Sequence, residues 1–469
     1  MLTNRRRFLS LSSAAAAGTI LKPGVSASPM PKVDLGERPK QDESVTVLNP
    51  YGRVPVSFIV DDSTCLVNMG HFCLPQFKEA HPTRKIYDQP WQTWPREIPD
   101  SFVREFGEFC REQGVKGKYS IVPYPACVGW LDRSLPGWSR SELRASLKFV
   151  RDFMTRDWDI HPEMISHTRV IDIKTGRQLP RKADGSYWME NGGWCAGRSQ
   201  DEITNYIAYA LQLIKNLELP CEGFTTPGGF GNPAKELLSK GGLQAIRSVF
   251  GSEVPHYFKY VVTDIKDSTQ PQVEAARGIA GTAPECIVNV PSCTGDYLGS
   301  WDGASPNPTA EAVEGQVSAD YQSGRLVEVI EKGEPACFLT HWPGMYANGT
   351  GIAFETFKQT VQRLNAGFKD RIRWMKLSEI ARYWAAKELT AIAREGNKIT
   401  LKAPFAAPGF TIEIPATGQA PSVGHAGETV ELKTVGSRKE LVAGSYTNSS
   451  KEGRLLACFD LAKGESRVT

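Results

Sequence analysis

The chain has 469 residues, a length that accommodates two or three domains. Hydrophobic residues make up 41% and charged residues 23%, which is typical of a globular protein and excludes a mainly disordered, collagen-like or coiled-coil chain. The net charge is only +3, from 55 basic and 52 acidic residues, so neither nucleic acid nor an anionic lipid surface is an expected partner.

The first 27 residues have the organisation of an export signal. Residues 5–9 read Arg-Arg-Arg-Phe-Leu, an apolar stretch follows over 11–21, and small residues stand at 25–27. The order Arg-Arg-x-Phe-Leu resembles a twin-arginine signal, which a transport receptor reads and which does not anchor the protein. The apolar stretch is too short to span a bilayer, and no later segment is predicted to span one. We therefore expect export by the twin-arginine route, to the periplasm or the outside of a bacterial cell.

Residues 28–53 are rich in proline and charged side chains without periodicity, which predicts a linker. From residue 54 to 394, short apolar runs alternate with amphipathic stretches of helical periodicity, of which 200–217 is the clearest. The predicted strands are 54–60, 118–123, 163–168, 221–226, 257–263, 286–291 and 336–340. This alternation is typical of parallel βαβ units and predicts an α/β fold, a seven-stranded (β/α) barrel. The alternative is an open doubly wound sheet, but no Gly-x-Gly-x-x-Gly follows a strand.

Residues 395–469 have a different pattern, with short apolar runs separated by clusters of glycine, proline, asparagine and serine. This spacing is typical of an antiparallel all-β unit and predicts a small C-terminal domain resembling a β-sandwich. Because the segment has no aromatic cluster, we expect it to cap the barrel rather than to bind sugar. The ten cysteines include no Cys-x-x-Cys pair, so a thiolate zinc site is not expected.

Polar residues that can do chemistry stand at the ends of the predicted strands, where functional side chains collect in parallel α/β proteins. Asp61 and Asp62 end the first strand, and two adjacent carboxylates are costly to bury unless they bind a metal or take part in catalysis. His167 ends the third apolar run and His341 follows the last, and a neutral imidazole is a good metal ligand. A surface acid pair and structural core histidines remain the alternative interpretation.

The loops that follow the strands suggest a carbohydrate substrate. Gly228 and Gly229 form a turn after the fourth strand, where the backbone can approach a ligand closely. Asp296 and Trp301 belong to a glycine-rich loop after the sixth strand, and Trp342 follows His341. Aromatic faces with polar rims stack on sugar rings, so we predict that these residues contact a sugar.

The order of these features resembles the polysaccharide deacetylase (NodB homology) family. Asp61 and Asp62 are similar to the family's first motif, in which the first aspartate is the base and the second binds a metal. The segment 163–168 resembles the second motif and contributes His167, while His341 resembles the general acid of the last motif. The resemblance covers about residues 54–390. It implies metal-assisted hydrolysis, with Asp61 and His341 catalytic and a divalent Zn, Co, Mn or Ni ion on Asp62 and His167.

The sequence departs from the family pattern at the metal site. Ile171 stands in the place of the family's second metal-binding histidine, and the third motif lacks its arginine. A third ligand is therefore expected from Asp172, one residue further on, or from His71 in the loop after the first strand. Two long insertions, 71–94 and 176–198, are expected to build a cleft over the site.

Two other functions fit the same sequence. A glycoside hydrolase would pair Asp61 or Asp62 with a second carboxylate such as Glu163 or Asp296. A secreted glycan-binding protein that has lost its metal would need no catalytic residues, and Ile171 makes this alternative reasonable. Metal analysis separates the deacetylase from both, and product analysis, acetate against reducing ends, separates the two enzymes.

Overall fold

The computed structural model describes residues 30–62, 66–299 and 309–469, so the predicted export signal and Trp301 lie outside the described residues. The helices are α1 Met69–Ala80, α2 Asp100–Gln113, α3 Arg140–Phe149, α4 Gln200–Asn216, α5 Lys235–Phe250, α6 Thr309–Gln316, α7 Arg325–Glu331, α8 Trp342–Tyr346, α9 Ile352–Phe368 and α10 Leu377–Leu389. The strands up to the last helix are β1 Thr46–Val47, β2 Val54–Asp61, β3 Gly117–Ile121, β4 Trp158–Pro162, β5 Gly223–Thr225, β6 His256–Phe258, β7 Gln272–Arg277, β8 Glu285–Asn289, β9 Ala336–His341 and β10 Ile372–Trp374. The remaining strands are β11 Ala391–Glu395, β12 Lys398–Ala403, β13 Ala407–Pro415, β14 Ser422–His425, β15 Glu428–Glu431, β16 Lys433–Thr434, β17 Ser445–Asn448, β18 Arg454–Leu461 and β19 Gly464–Val468.

The helix predicted over 200–217 is confirmed as α4, and its start follows from local chemistry. The Ser199 hydroxyl accepts a hydrogen bond from the Glu202 amide, while the Glu202 carboxylate accepts one from the Ser199 amide. Ile203, Ile207 and Leu211 are buried on one face of this helix, which packs against α5. Within the described ranges, no helix is both long and apolar enough to cross a membrane.

Parallel strands form the centre of the α/β part, as the sequence predicts. In the first sheet β2 pairs in parallel with β3, β9 and β10, and β4 pairs with β3. In the second sheet β5, β6 and β8 are parallel, and β7, which the sequence analysis missed, runs antiparallel to β8. Single bridges link Glu163 to Thr225 and Asp296 to Leu339, between elements of the two sheets. The closed seven-stranded barrel stays a prediction.

The third predicted strand differs from the structure, and the difference affects the site. The run 163–168 was expected to be extended, but β4 ends at Pro162, immediately before it. Met164 and His167 have φ angles of 51° and 66°, which lie in the left-handed region and cannot belong to a strand. Residues 163–168 therefore form a tight loop at the carboxyl end of β4, which we call the ligand loop.

Residues beyond α10, together with β1, form two further sheets, in the orders β11-β12-β19-β14-β15 and β1-β13-β18-β17-β16. Most of their pairings are antiparallel, as expected for a sandwich. β1 belongs to the segment predicted as a linker, yet it pairs with β13, and Gln41 bridges to Ile392. One apolar core joins β9, α10 and the C-terminal strands, with Trp384 and Phe410 fully buried. The described part of 28–53 is therefore built into the fold.

Candidate active site

The carboxyl end of β2 carries the adjacent acids predicted from the sequence. Asp61 and Asp62 are 4% and 2% exposed. Asp62 has a φ of 55°, so the chain leaves the strand direction at this residue. Its amide donates to Oε2 of Glu163 over 2.9 Å, which ties the end of β2 to the ligand loop. Both carboxylates are thus held in a nearly water-free site.

Asp62, Glu163 and His167 place three donor atoms around one point. Nε2 of His167 lies 2.5 Å from Oδ1 of Asp62 and 3.4 Å from Oε1 of Glu163. One donor atom of each residue lies within 4.8 Å of the others, and no other such group of three occurs in the described ranges. Two carboxylates and an imidazole suit a divalent cation in charge and in ligand type, so these residues fit the expected metal.

The third donor is Glu163, and neither of the residues proposed for this place from the sequence joins the group. His71 lies on α1, and its Nδ1 is 3.0 Å from the backbone oxygen of Trp94. The carboxylate of Asp172 accepts the Lys174 amide in a turn just before the second insertion. The spacing of four residues between Glu163 and His167 was the signal for this pair. The sequence analysis read Glu163 only as part of a motif and as a glycosidase acid.

The electrostatics of this group also favour a cation. Burial by itself would lower the pKa of His167, but Asp62 and Glu163 raise it well above its usual value. The imidazole therefore sits in a strongly negative potential that it must balance when no other cation is present. A divalent ion among the same three side chains would relieve that potential.

His341 lies at the end of β9 and is oriented by Asp296. Nδ1 of His341 is 2.8 Å from Oδ2 of Asp296, whose Oδ1 accepts the Thr340 hydroxyl over 2.9 Å. The other ring nitrogen, Nε2, lies 3.9 Å from Oδ2 of Asp62. Burial opposes the charged form, but Asp62 and Asp296 raise the pKa of His341 to about 9. Asp296, predicted from the sequence to contact a sugar, is hydrogen-bonded to an imidazole that can donate a proton.

Lys118 is a site residue that the sequence analysis missed. It is fully buried on β3, and its Nζ donates to Oδ1 of Asp61 and, over 2.5 Å, to Oγ of Ser120. Ser120 donates to the same Asp61 oxygen over 2.9 Å. Burial and the nearby Glu163 raise the pKa of Asp61, whereas Lys118 opposes the rise. Strand periodicity places residues 118 and 120 on one face, so a lysine inside a buried run was the available signal.

The residues predicted to contact sugar are less accessible than expected. Trp342 is fully buried, because α8 begins there and its ring packs 5.0 Å from Phe106 and 5.4 Å from Tyr119. The amide of Gly229 donates to the backbone oxygen of Asn191 over 2.8 Å and is therefore not free to bind a ligand. The carbonyl of Gly228, in the same turn, accepts from the Lys259 ammonium. This turn packs against the second insertion, so its glycines allow close approach of the chain itself.

No family model matches the chain, and no curated protein matches it. Among solved structures, a probable polysaccharide deacetylase from Pseudomonas aeruginosa is similar at 10% identity and a TM-score of 0.39, over 71% of this chain and 91% of that one. A 4-alpha-glucanotransferase from Thermococcus litoralis is similar at 13% identity and a TM-score of 0.35, over 70% of this chain and 40% of that one. An alpha-fucosidase from Thermotoga maritima is similar at 12% identity and a TM-score of 0.28, over 91% and 98% of the two chains.

Proposed function

We propose that the protein is an exported, metal-assisted hydrolase that removes an acyl group, most simply acetyl, from a polysaccharide or oligosaccharide. The observation that carries this proposal is the convergence of the ligand group Asp62, Glu163 and His167 with Asp61 and His341. The carbohydrate substrate and the export route come from the sequence resemblance. In this proposal residues 54–394 form the (β/α) barrel and 395–469 its C-terminal β domain.

The site contains the parts that hydrolysis of an acyl group needs. A divalent Zn, Co, Mn or Ni ion held by Asp62, Glu163 and His167 would supply Lewis-acid polarisation of the acyl carbonyl and activation of water. Asp61 adjoins this group, and burial and the nearby Glu163 raise its pKa, which makes its carboxylate a stronger base. Lys118 and Ser120 hold one oxygen of that carboxylate, which fixes its orientation.

His341 is the proposed general acid. Asp296 accepts a hydrogen bond from Nδ1–H, so the second proton of the imidazolium lies on Nε2, on the side of Asp62. That proton can pass to the nitrogen or oxygen that leaves when the acyl bond breaks. Burial opposes the charged imidazole, but Asp296, which lies outside the ligand group, raises the pKa of His341 by its charge and its hydrogen bond and so favours the protonated form that a general acid requires.

The glycosidase alternative needs two carboxylates on opposite sides of a glycosidic bond, about 5–9.5 Å apart. Asp62 and Glu163 instead turn oxygens toward the same imidazole, with donor atoms within 4.8 Å of one another. Asp296 is engaged by Thr340 and His341. The geometry therefore favours the metal-assisted reaction over the paired-carboxylate one.

The test measures metal content and products of the purified chain. We expect about one divalent ion per chain, and metal-dependent release of acetate from a panel of acetylated glycans without new reducing ends. Asp62→Ala should lose the metal and remain folded, whereas Asp172→Ala, which alters a carboxylate outside the group, should keep it. Reducing ends without acetate would identify a glycosidase. Absence of metal and of any product would leave only the glycan-binding alternative.

Export is tested separately, because the segment concerned precedes the described residues. Replacing both Arg5 and Arg6 with lysine keeps the charge but removes the twin-arginine pair. We expect the substituted protein to stay in the cytoplasm while the unaltered one reaches the periplasm. Equal distribution of the two proteins would reject this route.

A further inference from the structure

The second insertion contributes one buried carboxylate, that of Glu190, which contacts the backbone of the ligand loop. Glu190 is fully buried, and its two oxygens accept the amides of Ile165, Ser166 and His167 at distances between 2.6 and 3.3 Å. The hydroxyl of Tyr206 on α4 donates to Oε1 over 2.6 Å. Three successive backbone amides and one hydroxyl thus converge on a single side chain.

These hydrogen bonds act where the backbone of the ligand loop is least stable by itself. Met164 and His167 both have left-handed φ angles, which residues with a side chain seldom adopt. Such a conformation persists only when surrounding contacts hold it. The shortest backbone bond to Glu190, 2.6 Å, is the one from the amide of His167 itself.

We propose that Glu190 is a positioning residue for the metal site, which holds His167 so that Nε2 faces Asp62 and Glu163. This inference rests on the proposed metal-assisted function. Glu190 is not itself a ligand, because it lies outside the converging donor group and its oxygens already accept the loop amides and Tyr206. The second insertion therefore supports the ligand loop through Glu190, in addition to the expected role of covering the site.

The experiment compares Glu190→Gln with a matched control, Glu274→Gln, in the full chain. Glu274 is also a fully buried carboxyl that accepts a tyrosine hydroxyl, from Tyr257 over 2.9 Å. Tyr257 and Asn289, which donate to it, both lie outside the ligand loop. Zn²⁺ affinity is measured by titration calorimetry of the metal-free protein. Hydrogen exchange of the amides at 165–167 is measured without metal.

We expect Glu190→Gln to weaken Zn²⁺ binding about 10–100-fold, the usual effect of losing a group that orients a metal ligand. Amides 165–167 should exchange faster in this variant, while Glu274→Gln changes neither quantity. Equal weakening in both variants would show a general loss of stability and overturn the inference, as would unchanged affinity in Glu190→Gln. If the unaltered protein binds no divalent ion, the proposed function fails. The exchange comparison then still decides whether Glu190 holds the loop.

Discussion

Replacing Lys118 with methionine tests how the site holds a buried negative charge. The substitution keeps the length of the unbranched side chain and removes the ammonium group that donates to Asp61 and Ser120. Because both members of the ion pair are almost fully buried, loss of one partner leaves an uncompensated charge. Breaking such a pair typically costs about 3–5 kcal/mol of unfolding free energy.

The cost should depend on pH, because Asp61 can become neutral by binding a proton. Without Lys118 the pKa of Asp61 in the folded protein rises further above its ordinary value. A carboxyl whose pKa is raised by folding makes the protein less stable as pH increases. The difference between the two proteins should therefore grow by about 1.4 kcal/mol per pH unit until Asp61 of the variant ionises. Near pH 4 it should be small.

Urea unfolding between pH 4 and pH 8 measures this difference directly. Adding Asp61→Asn to Lys118→Met removes the unpaired charge and should restore most of the stability lost at pH 8. A stability loss independent of pH, or no recovery in the double variant, would refute the interpretation of Lys118 as the counter-charge of Asp61.

Three further results are expected. Asp62→Ala should abolish stoichiometric metal binding with an unchanged circular dichroism spectrum, and retained metal would remove Asp62 from the ligands. His341→Ala should lower turnover about 10²–10⁴-fold with metal content and substrate affinity nearly unchanged, as kinetic constants and metal analysis would show, whereas unchanged turnover would make this histidine structural. Burial raises the pKa of Glu274 to about 7, so its contribution to stability is complete below about pH 4.5 and is lost as pH rises to about 7. Between these pH values the unfolding free energy of Glu274→Gln should therefore decrease by about 3 kcal/mol less than that of the unaltered protein. An equal decrease in both proteins, measured by thermal or urea unfolding, would contradict the assigned protonation.

Much of the site could be predicted because strand ends are visible in the sequence. Asp61, Asp62 and His341 follow long apolar runs, and the structure places all three together at the ends of β2 and β9. The apolar runs that mark the strands were enough for this, since parallel strands deliver their last residues to one edge.

The parts that escaped prediction depend on contacts between distant segments. The role of Glu190 requires the second insertion to fold under the ligand loop, and nothing local to residue 190 indicates that. The error at 163–168 arose because an apolar run was read as a strand, although left-handed angles at Met164 and His167 make it a loop. Similarly, Thr46–Val47 is too short to be recognised as a strand before its partner is known.

The pairing of Thr46–Val47 with β13 has a consequence for the order of folding. The two strands stand near opposite ends of the chain, and Gln41 and Ile392 form a second long-range bridge beside them. During synthesis Thr46–Val47 has no strand partner until Ile412 and Glu413 have been made. Contacts so distant in sequence form slowly. The sheet that contains β1 can therefore form only after β13 and β18 have been made, and until then β1 and the apolar face of α10 lack the strands they pack against.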